Sequence, residues 1–236
     1  MGLKSKAART AKRAWITGAL LTGLILPAPA MAQTLVFGLP GGKPVSDAAA
    51  AHRVSPSSWE PRSDNYAANH TIPTRGQLSY FYSHSQMPLA RYVTGKFRGT
   101  TDEILQWAAY KWGFSPDLFR AVATVESWWH MSFVGNEGTA FGLMQVRIPY
   151  HCCLPEIQNA TAFNVDYYGA NLRSIYDGLY GWLNQVEHGR NYGPGDLWGS
   201  VGEWASGRWY LGDSVWYAGQ VQWRLRDRTW ATDQWF

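Results

Sequence analysis

Apolar positions recur with helical spacing in the second half of the chain and with no regular spacing before it. Thr100-Thr101-Asp102-Glu103 has the Thr-x-x-Glu form of a capping box, and Ile104, Leu105, Ala108 and Trp112 follow on one face up to Gly113. Ser115-Pro116 then reads as the cap and first residue of a second helix, with Leu118, Val122, Val125 and Trp129 on its core face. Two further helical patterns cover 166–183 and 213–226, and Gly-rich turns separate them. Residues 100–236 are therefore expected to form one compact, mainly α domain, with at most a small β element near Phe133–Phe141.

From Gln33 to Gly99 the texture differs. Pro40, Pro44, Pro56, Pro61, Pro73 and Pro88 interrupt a stretch rich in Ser and Asn, with neither period sustained. An irregular, extended N-terminal arm or linker is expected over 33–99, with Leu78–Tyr82 as a short strand or docking segment, and truncation at Thr100 is expected to leave a folded domain. The chain shows no internal repeat.

Residues 1–32 read as a secretory signal peptide. Lys4, Lys6, Arg9, Lys12 and Arg13 precede an apolar run from Trp15 to Leu26, and Ala30-Met31-Ala32 offers a small-residue cleavage site. The run is short for a bilayer span, and no second long apolar run follows, so no membrane anchor is expected after cleavage. The whole chain is formally +4, but the leader holds five basic and no acidic residues. Beyond it, sixteen basic residues face seventeen acidic ones, so the high pI is no argument for nucleic acid.

Cysteine and histidine usage gives little. Cys152 and Cys153 are adjacent and form no C-x-x-C motif, leaving a vicinal disulfide or a reduced pair as a local loop feature, with a redox or metal role beside His151 as the alternative. His52, His70, His84, His130 and His188 are scattered without metal-ligand spacing and read as surface or loop residues. Twelve of the fourteen tryptophans fall after residue 99, enough for some to stack on sugar faces as well as fill a core.

The chemistry concentrates between Ala121 and Pro149. Glu126 lies at the edge of an apolar helix face and near the helix's C-terminus. Burial and the negative end of the helix dipole both disfavour its carboxylate, which suits an acid near neutral pH. Sixteen residues later comes Gly142-Leu143-Met144-Gln145. Leu118-x-x-Ala121-x-x-x-x-Glu126-Ser127, then Ala140-x-Gly142-Leu143-Met144-Gln145 and Pro149, resemble the transglycosylase SLT family of the lysozyme-like superfamily over about residues 100–220. The resemblance implies a lysozyme-like helical domain that cleaves the MurNAc–GlcNAc bond of peptidoglycan without cofactor or metal. It makes Glu126 the acid and then the base, and places Ser127, Gly142, Leu143, Met144 and Gln145 along the glycan cleft. It also implies an exported, monomeric protein of the cell envelope, periplasmic or secreted, beside envelope machinery.

The chain departs from the family pattern in places. Asn136 and Thr139 stand where Ser and Gly are usual, and one residue is inserted before Pro149. Glu203-Trp204-Ala205-Ser206-Gly207 puts Trp204 where the family has a Tyr bonded to the catalytic Glu. Trp204, Tyr210 or Tyr217 is then expected to assist Glu126. Asn164 and Gly169 match a structural helix of the family. A second carboxylate, needed for a goose-type hydrolytic mechanism, has Glu137 and Asp166 as candidates, with a loop charge and a helix cap as their plainer uses. A glycan-binding or structural module with little turnover is the reading from another class.

Overall fold

The computed structural model describes residues 35–234 and 236; the expected signal peptide lies outside them. The fold is mainly helical with one small sheet. Short helices α1 (Asp47–Ala51) and α2 (Tyr66–Asn69) precede α3 (Arg75–His84). The long helices α4 (Thr101–Trp112) and α5 (Pro116–Ser127) follow. Strands β1 (Val134–Gly135), β2 (Ala140–Phe141) and β3 (Val146–Arg147) form an antiparallel meander. Helices α6 (Glu156–Asn159), α7 (Thr161–Tyr176), α8 (Leu197–Ser206), α9 (Asp213–Asp227) and α10 (Thr229–Thr232) complete the chain.

Local chemistry sets the helix ends. The Thr100 side chain accepts from Glu103 N while Glu103 accepts from Thr100 N, the reciprocal box read from sequence. Gly113 closes α4 with φ +78°, a conformation that costs glycine nothing. Ser115 caps α5, with Pro116 at its first position. α5 ends at Ser127 because Trp128 and Trp129 turn left-handed, at φ +52° and +65°. Trp129 is buried as its pattern predicts, from this turn rather than from the helix, and its indole N–H donates to the Arg120 carbonyl at 3.0 Å.

The core wraps around α7, whose residues are buried along its whole length. It starts at Thr161 and ends at Tyr176, where Asp177 and Gly178 (φ +81°) turn the chain, so the pattern expected to run to Leu183 breaks. Gly169 faces α4 so closely that a Cβ would fall 2.2 Å from Trp112 Cδ1.

Residues 35–99 are not an extended arm. Leu78, Phe81, Met87 and Val93 belong to the same buried cluster as α4, α5 and α7, and Phe81 meets Phe163 edge-on at 5.2 Å. Leu78–Tyr82 is the body of α3, not a strand, and Thr74-x-x-Gln77 caps it with the same reciprocal box that opens α4. Asn65 bonds Thr101 Oγ1 and the Trp129 carbonyl at 3.0 and 2.7 Å, and Met131 N donates to its Oδ1 at 2.8 Å. The prolines break the segment into short pieces without preventing them from packing.

Candidate active site

Glu126 occupies the last turn of α5 and is partly exposed as a residue. Its carboxyl is hemmed in by aromatic side chains from two other helices. The Tyr217 hydroxyl of α9 donates to Glu126 Oε1. The Trp204 indole of α8 donates to the Met144 carbonyl at 3.0 Å and also faces the carboxyl closely enough to favour its charged form. Burial outweighs both donors and pushes the Glu126 pKa from 4.5 up to about 8. The carboxyl therefore carries a proton at neutral pH while two groups wait to stabilise it once the proton leaves.

The Gly142–Gln145 segment forms a loop tied to the end of α5 that carries Glu126. Ser127 Oγ donates to the Leu143 carbonyl at 2.9 Å, tying the end of α5 to it. Asn164, wholly buried in α7, accepts from Met144 N at 2.8 Å and donates to the Phe141 and Ile157 carbonyls at 2.9 and 2.7 Å. Gly142 has φ +76°, and a Cβ there would lie 2.5 Å from Asn164 Nδ2 and 2.8 Å from the Ile157 carbonyl. Only glycine fits. Gln145 Nε2 donates to the Phe133 and Gly142 carbonyls at 3.1 and 2.9 Å. Ser127, Leu143, Met144 and Gln145 are buried, so the contacts on view are those that shape the loop.

Other candidates fall elsewhere. The Tyr210 hydroxyl donates to Asp196, with carboxylate oxygens at 2.7 and 2.8 Å, and its ring lies under Arg190. It is committed away from Glu126, and Tyr217 bonds the carboxyl instead. Asp166 neither caps α7 nor faces the site. It is buried in the helix body, 2.7 Å from Lys111 Nζ and 2.7 Å from Trp112 Nε1, and it accepts from the backbone N–H groups of Thr94 and Gly95. Glu137 sits in the exposed turn between β1 and β2 at φ +54°.

Two groups near the site, Glu203 and Tyr168, were not singled out from sequence, and a third, His151, was considered only for a redox or metal role beside the cysteines. Glu203, one residue before Trp204, is buried, and burial pushes it up to about 8; its carboxyl has no hydrogen bond or ion pair among the described residues. Tyr168 is wholly buried with its hydroxyl unpartnered. His151 stacks on Trp204 at 5.0 Å, lies 3.0 Å from the Tyr167 hydroxyl through Nδ1, and is lowered to about 4 by burial, so it is neutral. Beside it Cys152 and Cys153 are disulfide-bonded to each other. Gly199 and Gly202 were the available signal for Glu203, since glycines that let α8 pack closely, here against Trp209 and Ser214, also bury its neighbours. Tyr168 had no such signal.

Two surface depressions, one beside Phe37, Tyr110 and Arg173 and one beside Pro73, Leu78 and Tyr82, do not touch Glu126. Among the described residues no group of His, Cys, Asp and Glu is arranged to hold a metal ion. The chain matches no family model and no curated protein.

Proposed function

We propose that the chain is an exported peptidoglycan lytic transglycosylase on a lysozyme-like helical scaffold, with Glu126 as its acid and base. The observation that carries this reading is a carboxyl held protonated near neutrality and flanked by the donors Tyr217 and Trp204. The spacing of Glu126-Ser127 and Gly142–Gln145 supports it from the sequence side.

The reaction divides between these groups. Protonated Glu126 gives its proton to the glycosidic oxygen between N-acetylmuramic acid and N-acetylglucosamine, and the C1–O bond breaks. Tyr217 and Trp204 stabilise the carboxylate that remains. The muramic 6-hydroxyl attacks its own C1 and loses its proton to Glu126, which restores the acid. The products are a 1,6-anhydro end and a free 4-hydroxyl, with no water consumed. One carboxyl suffices, in keeping with the commitment of Asp166 to Lys111. A hydrolytic reading needs a second carboxylate to activate water, and Glu203, pushed up to about 8 by burial, holds its proton at neutral pH.

The test is mass spectrometry of peptidoglycan digested with residues 33–236, beside Glu126→Gln. Anhydro ends about 18 Da lighter than hydrolysed ones, absent with the variant, are expected. Reducing ends would make the protein a hydrolase. Binding without turnover in the wild type would favour a glycan-binding module.

A further inference from the structure

The Cys152–Cys153 disulfide is no ordinary staple. It joins neighbours in the chain, so it closes no loop and takes little freedom from the unfolded state. Its surroundings give it another use. Cys153 is buried in the main core cluster, whereas Cys152 is only partly buried against it. Tyr150 and Leu154, on either side of the His151–Cys153 stretch, stand exposed. His151 is wedged between two aromatic side chains. Its Nδ1 lies 3.0 Å from the hydroxyl of Tyr167, a buried residue of α7, and its ring stacks on Trp204 of α8 at 5.0 Å and 24°. The Trp204 indole donates to the Met144 carbonyl at 3.0 Å, and Ser127 Oγ donates to the neighbouring Leu143 carbonyl at 2.9 Å. A continuous run of contacts therefore leads from the disulfide, through His151 and Trp204, to the end of the helix that carries Glu126.

We propose that Cys152–Cys153 is a thiol–disulfide exchange site whose redox state sets turnover at Glu126, with His151 as the positioning residue for Trp204. The proposal rests on the reading of Glu126 as acid and base. While the bond is closed, the small ring it makes holds the backbone of both cysteines in one conformation, and His151 leaves the buried Cys153 anchor in one direction. The reagent that opens it is an external dithiol. One of its thiolates attacks the sulfur of Cys152, the more exposed of the two residues, and the Sγ–Sγ bond breaks. The electron pair leaves on the Cys153 sulfur, which takes up a proton. The second thiol of the reagent then displaces Cys152 from the mixed disulfide, and Cys152 leaves as a thiol. One protein disulfide and one dithiol have become one protein dithiol and one cyclic disulfide. Both cysteines regain ordinary backbone freedom. His151 loses its fixed approach to Trp204, and the indole loses the ring that covers its face. Trp204 then keeps only Tyr168, edge-on at 5.1 Å, and the Met144 carbonyl.

The experiment follows the indole as well as the activity. Full chain labelled with ¹⁵N is compared before and after dithiothreitol, with alkylation and mass counting the thiols. The Trp204 indole N–H resonance is assigned by its loss in Trp204→Phe. Reduction is expected to move or broaden that resonance, to lower kcat on peptidoglycan about tenfold, and to leave the thermal melt sharp; reoxidation restores resonance and turnover. The double variant Cys152→Ser with Cys153→Ser should match the reduced wild type and ignore dithiothreitol. His151→Ala should reproduce the reduced resonance and turnover with the disulfide still closed, and His151→Phe, which keeps a ring on Trp204, should restore most of both. A bond that excess dithiothreitol leaves closed, an unmoved Trp204 resonance, or an unchanged kcat in the reduced protein would each overturn the proposal. So would a melt broadened by reduction, because the disulfide would then be a staple after all. A wild type that releases no anhydro product would sink the transglycosylase reading, and the Trp204 resonance would still decide whether the disulfide governs the indole.

Discussion

Glu203 makes the folded chain sensitive to pH in a way that Glu203→Gln should remove. Its carboxyl is buried with no hydrogen bond or ion pair among the described residues, and burial raises its pKa from 4.5 to about 8. Below pH 4.5 folded and unfolded chains both hold the proton, and the group adds nothing to the pH dependence. Between 4.5 and about 8 only the folded chain holds it, so folding takes up a proton and stability falls as pH rises. Above about 8 the loss is complete. Each pH unit inside that window is worth about 1.4 kcal/mol, so going from about pH 5 to about pH 7 should cost the wild type about 2–3 kcal/mol that Glu203→Gln does not lose. Urea denaturation of both proteins at the two pH values measures this directly, with the slope checked for constancy. Glutamine keeps the shape and cannot ionise, so the two proteins differ in the proton alone. Stability curves that run parallel from acid to neutral pH would refute the reasoning, because they would place the Glu203 carboxyl in contact with water or with a donor.

Tyr217→Phe removes the hydroxyl that donates to Glu126. The Glu126 pKa should rise, the alkaline limb of the activity profile should move to higher pH, and kcat should fall by about tenfold or more. An unchanged limb in the pH profile would show that the hydrogen bond does not tune the acid. Gly142→Ala places a methyl against Asn164 Nδ2 and the Ile157 carbonyl at a left-handed φ. It should lose about 2–4 kcal/mol from strain and from the broken Asn164 bonds, seen as a lower midpoint in chemical denaturation.

The helices that position Glu126 were legible because they are signalled locally. The Thr100 box, Gly113, and Ser115-Pro116 each satisfy end groups with residues next to them in the chain. Glu126 was legible for the same reason, through its place on one helix and its distance from Gly142. Its partner was not. The resemblance put Trp204 at the position of a hydrogen-bonding Tyr, with Tyr210 placed among the site residues and Tyr217 only as an alternative to it. Which tyrosine reaches the carboxyl depends on how α9 crosses α5, a fact of tertiary packing with no local signature. Asp166 misled because an Asp near a helix start reads as a cap. Its actual partner, Lys111, is far away in sequence, and nothing near either residue announces a buried pair. The proline-rich segment was discounted on its missing period, although Thr74-x-x-Gln77 carried the same capping signal that identified α4.

The buried Asp166–Lys111 pair also decides what removing residues 33–99 would do. Asp166 Oδ2 accepts from Lys111 Nζ at 2.7 Å and from the backbone N–H groups of Thr94 and Gly95 at 2.8 and 3.0 Å. Lys111 Nζ also pairs with Asp47 at 2.7 Å. Three of these partners lie before Thr100. A chain starting there keeps the two charges and loses Asp47, both amides and the Phe81 ring that packs against Phe163. Stripping partners from a buried pair costs about 3–5 kcal/mol, and leaving the apolar face of α7 open removes several more. Against a typical total of about 5–15 kcal/mol, that is enough to prevent cooperative folding. Residues 100–236 should therefore give a broad, non-cooperative melt and aggregate, where 33–236 unfolds sharply. A sharp transition for the short chain, with intact near-UV dichroism, would mean that α7 closes its own core and that the N-terminal segment is the separable arm its composition suggests.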